Sequence, residues 1–138
     1  MREQLDEESL RSLISYRSNR ADETFHEAEI LFNENCYNAA INRLYYACYY
    51  IISALLVKNG IQAHTHAGTK QMFGLHFIVN GILPKRINTI FTTLYEKRHS
   101  SDYDDFTYCE RETVEDLMPQ VQELIQSVKK ILSLSPKK

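Results

Sequence analysis

The chain has 138 residues, with 16 Lys+Arg against 18 Asp+Glu for a formal charge of −2, and is 43% hydrophobic and 25% charged. That length supports one hydrophobic core rather than two, the composition excludes disordered, collagen-like and coiled-coil chains, and the near-neutral balance excludes broad electrostatic binding to nucleic acid. Only four Gly and three Pro are present, too few for the many tight turns of a sandwich or barrel, so long helices are favoured.

Over residues 6–35, Leu10, Leu13, Ile14, Ala21, Phe25, Ala28, Leu31 and Phe32 recur at three- and four-residue steps. Glu7, Arg11, Ser18, Asp22 and Glu29 fill the other side, which predicts a long amphipathic helix. Asn33, Glu34 and Asn35 interrupt it. A second helix is predicted over 37–59, ended by Gly60, and the pair should form an antiparallel hairpin. Residues 39–57 of this helix read AAINRLYYACYYIISALLV, nearly long enough to cross a bilayer. Asn42, Arg43 and four central tyrosines argue against a span, so a central helix buried by its neighbours is expected, with no membrane contact.

The polar connection QAHTHAG leads to a shorter apolar segment over 69–79, stopped by Asn80-Gly81. Pro84 suits the first position of a fourth helix, where its missing N–H costs nothing. That helix carries Ile87, Ile90, Phe91, Leu94 and Tyr95, and its basic end, Lys97-Arg98-His99, complements the helix dipole. Residues 100–106, SSDYDDF, read as an acidic loop. Thr113 with Asp116 resembles a capping box opening a last helix, whose apolar face is Leu117, Val121, Leu124, Ile125, Val128, Ile131 and Leu132. Pro119 lies inside that span and requires a kink or a later start. The expected fold is all-α: an antiparallel up-and-down helical bundle of four long helices plus one short helix, in a single domain over 1–138 with residues 1–5 and 133–138 frayed.

Cys36, Cys48 and Cys109 form an odd set without a CxxC pair. They are expected to be small buried hydrophobes in a reducing, cytoplasmic setting. The first ten residues hold no apolar run, so no secretory signal is expected.

Four groups of residues could carry chemistry. Arg43 sits in the most apolar helix and cannot lose its charge, so it must be paired, reach an edge, or face a polar cavity or subunit interface. Asn42 and Tyr46 project from neighbouring faces of that helix. Arg43 is therefore either a structural ion pair, with Asp102 a candidate partner, or a phosphate ligand. The second group, Arg98, His99, Asp102 and Tyr103, places guanidinium, imidazole, carboxylate and phenol within six residues, a set able to bind a phosphodiester and move protons around it. Arg98 and His99 are adjacent, however, and adjacent helical residues point roughly 100° apart. The alternative for this group is a solvated helix end.

His64 and His66 form an HxH pair, but a zinc site wants a third and usually a fourth ligand, so no metal is expected and His66 is read as capping the third helix or bonding across the bundle. Tyr45, Tyr46, Tyr49 and Tyr50 pair one turn apart. They can stack on bases or simply pack the core. No Gly-rich phosphate loop or GxSxG elbow is present, so nucleotide-hydrolase and ester-hydrolase motifs are not supported, and no cofactor is expected.

Taken together, AAINRLYYACYYIISALLVKNG, the histidine of HTHAG and YEKRHSSDYDDF resemble the HEPN domain family over about residues 21–132. The likeness is to its small bacterial and archaeal members with an R-x-x-x-D-Y ending, here Arg98, Asp102 and Tyr103. The resemblance implies an up-and-down bundle, a homodimer with a polar cleft, and a minimal nucleotidyltransferase as toxin–antitoxin partner. Catalytic members are implied to be metal-independent ribonucleases using R-x4-6-H, the arginine polarising the phosphate and the histidine activating the ribose 2′-hydroxyl. This chain departs from that motif: positions 103–105 hold Tyr103, Asp104 and Asp105, and the one R-x4-6-H match, Arg20 to His26, falls in the first helix and is read as chance. A phenol with a pKa near 10 is a poor general base.

The expectation is thus a non-catalytic or weakly active module binding a nucleotide or RNA phosphate through Arg43, Tyr46, Arg98, Asp102 and Tyr103, with Asn42 and His66 secondary. The alternatives are a ribonuclease toxin with an altered site, in which Arg98 and His99 are the catalytic candidates, and a purely structural dimeric interaction protein.

Overall fold

The computed structural model describes residues 6–103 and 109–134, with side chains over 6–97 and 109–134. Its elements are α1 (Glu7–Asn33), α2 (Tyr37–Lys58), α3 (His66–Phe73) continued by one π turn (Gly74–Ile78), α4 (Lys85–Tyr103) and α5 (Arg111–Leu132). Among the described residues there is no strand, and the all-α bundle of four long helices and a short one stands as expected.

The boundaries follow from local chemistry. Asp6 caps α1, its carboxylate accepting the Ser9 N–H at 2.7 Å, with Glu7 and Glu8 in the first turn where the dipole favours negative charge. At the other end Asn35 takes the left-handed conformation, φ 64°. The Cys36 N–H returns to the Leu31 carbonyl at 2.8 Å and the Asn35 N–H to Phe32 at 3.0 Å, a pattern that satisfies the carbonyls of the last turn. Gly60, φ 70°, ends α2 the same way, with the Ile61 N–H on the Leu56 carbonyl at 2.9 Å.

Four boundaries differ from the sequence reading. The short helix begins at His66 rather than at 69, because the Thr65 hydroxyl accepts the Gly68 N–H at 2.8 Å and starts it; the cap is the threonine between the two histidines, not a histidine. Pro84 lies just before α4 instead of opening it. That helix then runs through Tyr103, so the first four residues of the expected loop are helical and Lys97-Arg98-His99 are not its last turn. A polar, acidic composition describes a solvated helix end as well as a loop, and no Gly or Pro intervenes between 85 and 103 to stop the helix. Lastly, α5 starts at Arg111 after Glu110, with no side-chain cap. Thr113 is its third residue and forms no capping box. The helix passes through Pro119, and the Gln120 side-chain amide donates to the Asp116 carbonyl at 3.1 Å, offering a bond to the turn the proline interrupts.

Cross-helix contacts fix the topology. Arg20 meets Tyr50 and Glu27 meets Arg43, so α1 and α2 are antiparallel. The Asn38 carboxamide oxygen accepts the Cys109 N–H at 2.6 Å, and Lys58 Nζ donates to the Leu132 carbonyl at 2.6 Å, so α2 and α5 run parallel. Arg86 pairs with Glu123, while Thr93 and Lys97 lie near Glu112 and Thr113, which makes α4 antiparallel to α5. The C-terminal part of α4 therefore reaches the end of the bundle where α2 and α5 begin.

The core is centred on α2, with Ile41, Leu44, Tyr45, Cys48, Ile51 and Leu55 fully buried, and Phe91, Leu94, Leu124 and Ile125 buried from α4 and α5. Alanines at 21, 28, 40 and 47 are also fully buried and let α1 approach α2 closely. By length and composition α2 is the one described helix able to cross a membrane, but 67% of its most apolar window is buried in the bundle, as in a core helix. Cys48 is buried, which pushes its thiol pKa up. Cys36, expected inside, is exposed, because it sits in the turn immediately before α2; Cys109 is half-buried.

Candidate functional site

The α1–α2 hairpin turns about residue 35, so residues whose numbers sum to about 70 face each other. That register sets Arg20 beside Tyr50 and Glu27 beside Arg43. Each guanidinium lies over a tyrosine ring, Arg20 on Tyr50 and Arg43 on Tyr46, both at 5.2 Å to the centroid. The two rings are 6.2 Å apart along one turn of α2. Glu27 is shared, 3.6 Å from Arg20 and 3.5 Å from Arg43, and Glu23 accepts from Arg20 at 3.0 Å. Asn42 Oδ1 accepts from Arg43 Nη2 at 2.8 Å and fixes the direction of its guanidinium.

This strip is partly solvated, with the Arg20 and Arg43 side chains 23% and 29% exposed. Glu23, and next the Tyr50 hydroxyl, hold the Arg20 pKa above its ordinary value. The Glu27 contacts are long for charge-assisted bonds, so its carboxylate neutralises both arginines loosely. An incoming phosphate can displace it, while the tyrosine faces offer stacking to a base.

Next to the strip, His66 is enclosed by rings. Its Nδ1 is 2.7 Å from the Tyr45 hydroxyl, its ring stacks on Tyr49 at 4.5 Å between centroids, and it meets Tyr46 edge-on at 5.6 Å. Tyr45 in turn stacks on Phe91 at 5.5 Å, tying the cluster to α4. His64 lies apart, on a cleft between the first half of α1 and the end of α2. The two histidines of the HxH pair thus serve different surroundings.

Of the residues singled out from sequence, Asn42, Arg43, Tyr46 and His66 come together. Arg98, His99, Asp102 and Tyr103 lie on the helical backbone of α4, but their side chains are outside the described residues, as is any Arg43–Asp102 contact. Their positions are informative all the same. With α4 continuous, 98 and 102 share one face and 99 and 103 the next, at the end of the bundle where α2 begins. The Arg20–His26 match is two unrelated residues: Arg20 belongs to the strip, while His26, 71% exposed, sits 3.3 Å from Glu29.

Sequence reasoning missed Glu27, and it saw Arg20 only as half of a chance motif match. The signal was present, since a hairpin centred on the expected break pairs exactly these positions with residues already chosen.

The HEPN domain family matches residues 14–131 of the chain. Among curated proteins the chain is similar to a "UPF0332 protein" of Thermotoga maritima, 28% identical over 87% of this chain and 91% of that one. It is also similar to the "Putative toxin MJ0605" of Methanocaldococcus jannaschii, 32% identical over 81% of this chain and 83% of that one. The "Putative toxin MJ0142" of the same organism is 28% identical over 82% and 77%.

Proposed function

The chain belongs to the HEPN domain family, and from that premise we propose that it is a nucleotide- or RNA-phosphate-binding module, non-catalytic or weakly active as a nuclease, that pairs with a minimal nucleotidyltransferase in a toxin–antitoxin-type system. The observation that carries the binding reading is the strip itself: Arg43 over Tyr46 and Arg20 over Tyr50, each cation on an aromatic face and both bridged by one loosely held carboxylate. A phosphate takes the place of Glu27 between the guanidiniums, and the attached base stacks on a tyrosine.

Positions 98 and 102 on α4 supply the second half of the site, Arg98 as a further phosphate ligand with Asp102 orienting it and Tyr103 beside them. Two copies of the chain, as a cytoplasmic homodimer, would place two such strips in one cleft and concentrate positive charge that a net −2 does not provide globally. Binding is preferred to cleavage because the motif histidine is replaced and because positions 98 and 99 diverge on a continuous helix. The toxin names of two relatives favour a toxin–antitoxin setting.

The test is incubation of the purified protein with defined single-stranded RNAs, with Arg43→Ala, Arg98→Ala and His99→Ala variants alongside. Retained RNA that Arg43→Ala releases supports binding; cleavage abolished by Arg98→Ala or His99→Ala overturns it in favour of the ribonuclease. If no RNA or nucleotide binds, the cluster is structural. Co-purification with a minimal nucleotidyltransferase as one complex on size exclusion tests the pairing.

A further inference from the structure

The chain holds three cysteines, and the fold places them differently. Cys48 is enclosed in the core, whereas Cys36 is exposed and Cys109 half-buried. The latter two, far apart in sequence, meet. A cleft of about 350 Å³ at the hairpin turn is lined by residues 35–39 and, among the described residues outside that segment, by Cys109 alone.

Contacts on both sides of Cys36 hold this approach. The Asn38 carboxamide oxygen accepts the Cys109 N–H at 2.6 Å. Helical side chains lean toward the N-terminus of their helix, so Asn38, in the first turn of α2, carries Cys109 back toward Cys36, the N-cap of that helix. On the other side the Arg111 guanidinium lies 4.5 Å from the Phe32 ring centroid and donates to the Tyr37 hydroxyl at 3.4 Å. Tyr37 in turn donates to Asn35 at 2.8 Å. The chain from 109 to 111 is thereby laid across the turn that contains Cys36. Both cysteines lie outside helices, Cys36 just before α2 and Cys109 two residues before α5. Either backbone can therefore adjust to the geometry a disulfide demands without breaking a helical turn.

We propose that Cys36 and Cys109 are a redox-responsive thiol pair that a hydroperoxide converts into an intramolecular disulfide. Cys36 is the attacking thiol because it is the exposed one, and Cys109, on the wall of the same cleft, resolves it. With hydrogen peroxide, the Cys36 sulfur attacks one oxygen, the O–O bond breaks, Cys36 becomes a sulfenic acid, and the other oxygen leaves as water with the thiol proton. The Cys109 sulfur then attacks the Cys36 sulfur. The S–S bond forms as the S–O bond breaks, and the departing hydroxide takes the Cys109 proton as a second water. Two thiols lose two electrons and one peroxide gains them, and a small dithiol reverses the change. The bond ties the start of α5 to the hairpin turn. The pair is separate from the arginine–tyrosine strip, and the inference does not rest on phosphate binding.

Treatment of the reduced full chain with one equivalent of hydrogen peroxide, then alkylation under denaturing conditions and peptide mass mapping, tests it. The expected product is a monomer that has lost two hydrogens and keeps one alkylatable thiol, at Cys48. It yields a linked Cys36–Cys109 peptide that dithiothreitol separates. The oxidised protein should also melt above the reduced one, because the crosslink restricts the unfolded chain. Cys109→Ser should leave a sulfenic acid on Cys36 that dimedone traps, and Cys36→Ser should form no intramolecular disulfide. A disulfide between two chains, a link to Cys48, Cys36 overoxidised with Cys109 still free, or three free thiols after treatment overturns the proposal. The mapping uses the parent protein and needs no variant to fold, and RNA titration of the strip reads a different property.

Discussion

Two faces of α2 are made of different residue types and do different work. One presents Ile41, Leu44, Cys48, Ile51 and Leu55, all fully buried. The other presents Asn42, Arg43, Tyr46 and Tyr50, partly solvated and set against Arg20 and Glu27 of α1. Tyr45 divides them, fully buried yet bonded to His66. The buried face owes its place to area removed from water, which any well-fitting apolar set supplies. The strip does not: its rings carry hydroxyls, its cations share one carboxylate, and a helix needing only stability would fill those positions more simply. On the proposed reading, stability and binding are thus separable on one helix.

That separation can be broken by substitution. Leu44→Ala should cost about 2–5 kcal/mol through the cavity it leaves, seen in denaturant unfolding; a loss near zero would mean that the buried face is loosely packed. Gly60→Ala should cost about 1 kcal/mol, because φ 70° is strained for a residue with Cβ although no atom lies within 4 Å of it. Asn35→Gly at φ 64° should be near-neutral by the same measurement. Arg43→Ala should change stability by no more than about 1 kcal/mol, the range of a partly exposed ion pair and a solvated cation–ring contact. A core-sized loss there would merge the two faces into one.

A pH-dependent effect sharpens the picture at the α1 terminus. The Ser9 N–H, and next its hydroxyl, hold the Asp6 pKa below the ordinary 3.8. A carboxylate depressed in the folded state contributes stability above its unfolded pKa and loses it as pH falls through the folded value. Asp6→Ala should therefore melt below the parent at neutral pH, and the gap should close on acidification below about 3.8. A gap independent of pH would show that Asp6 acts other than as a charged cap.

The bundle was legible because its periodicity is strong and its stops are chemical: Asn35 and Gly60 end helices by taking left-handed conformations, as their positions in the sequence suggest. The errors fell where polarity was taken for irregularity. Residues 100–103 are polar yet helical, and Thr113 offered a cap to a helix that had already begun at Arg111. Half of the strip was legible for the same reason that Arg43 is conspicuous, since a permanent charge in an apolar helix demands a partner. Its other half was obscured because Arg20 and Glu27 look like ordinary solvated residues of α1 until the hairpin register brings them across from Tyr50 and Arg43.

The most direct test of separable faces is an anisotropy titration of a labelled single-stranded RNA with the parent and with Arg43→Gln, beside melting curves of both. The account predicts affinity at least tenfold weaker for Arg43→Gln, with a melting temperature within a few degrees of the parent. Equal affinity, or a large melting loss with RNA binding intact in the folded protein, would contradict it and make the arginine–tyrosine strip part of the scaffold.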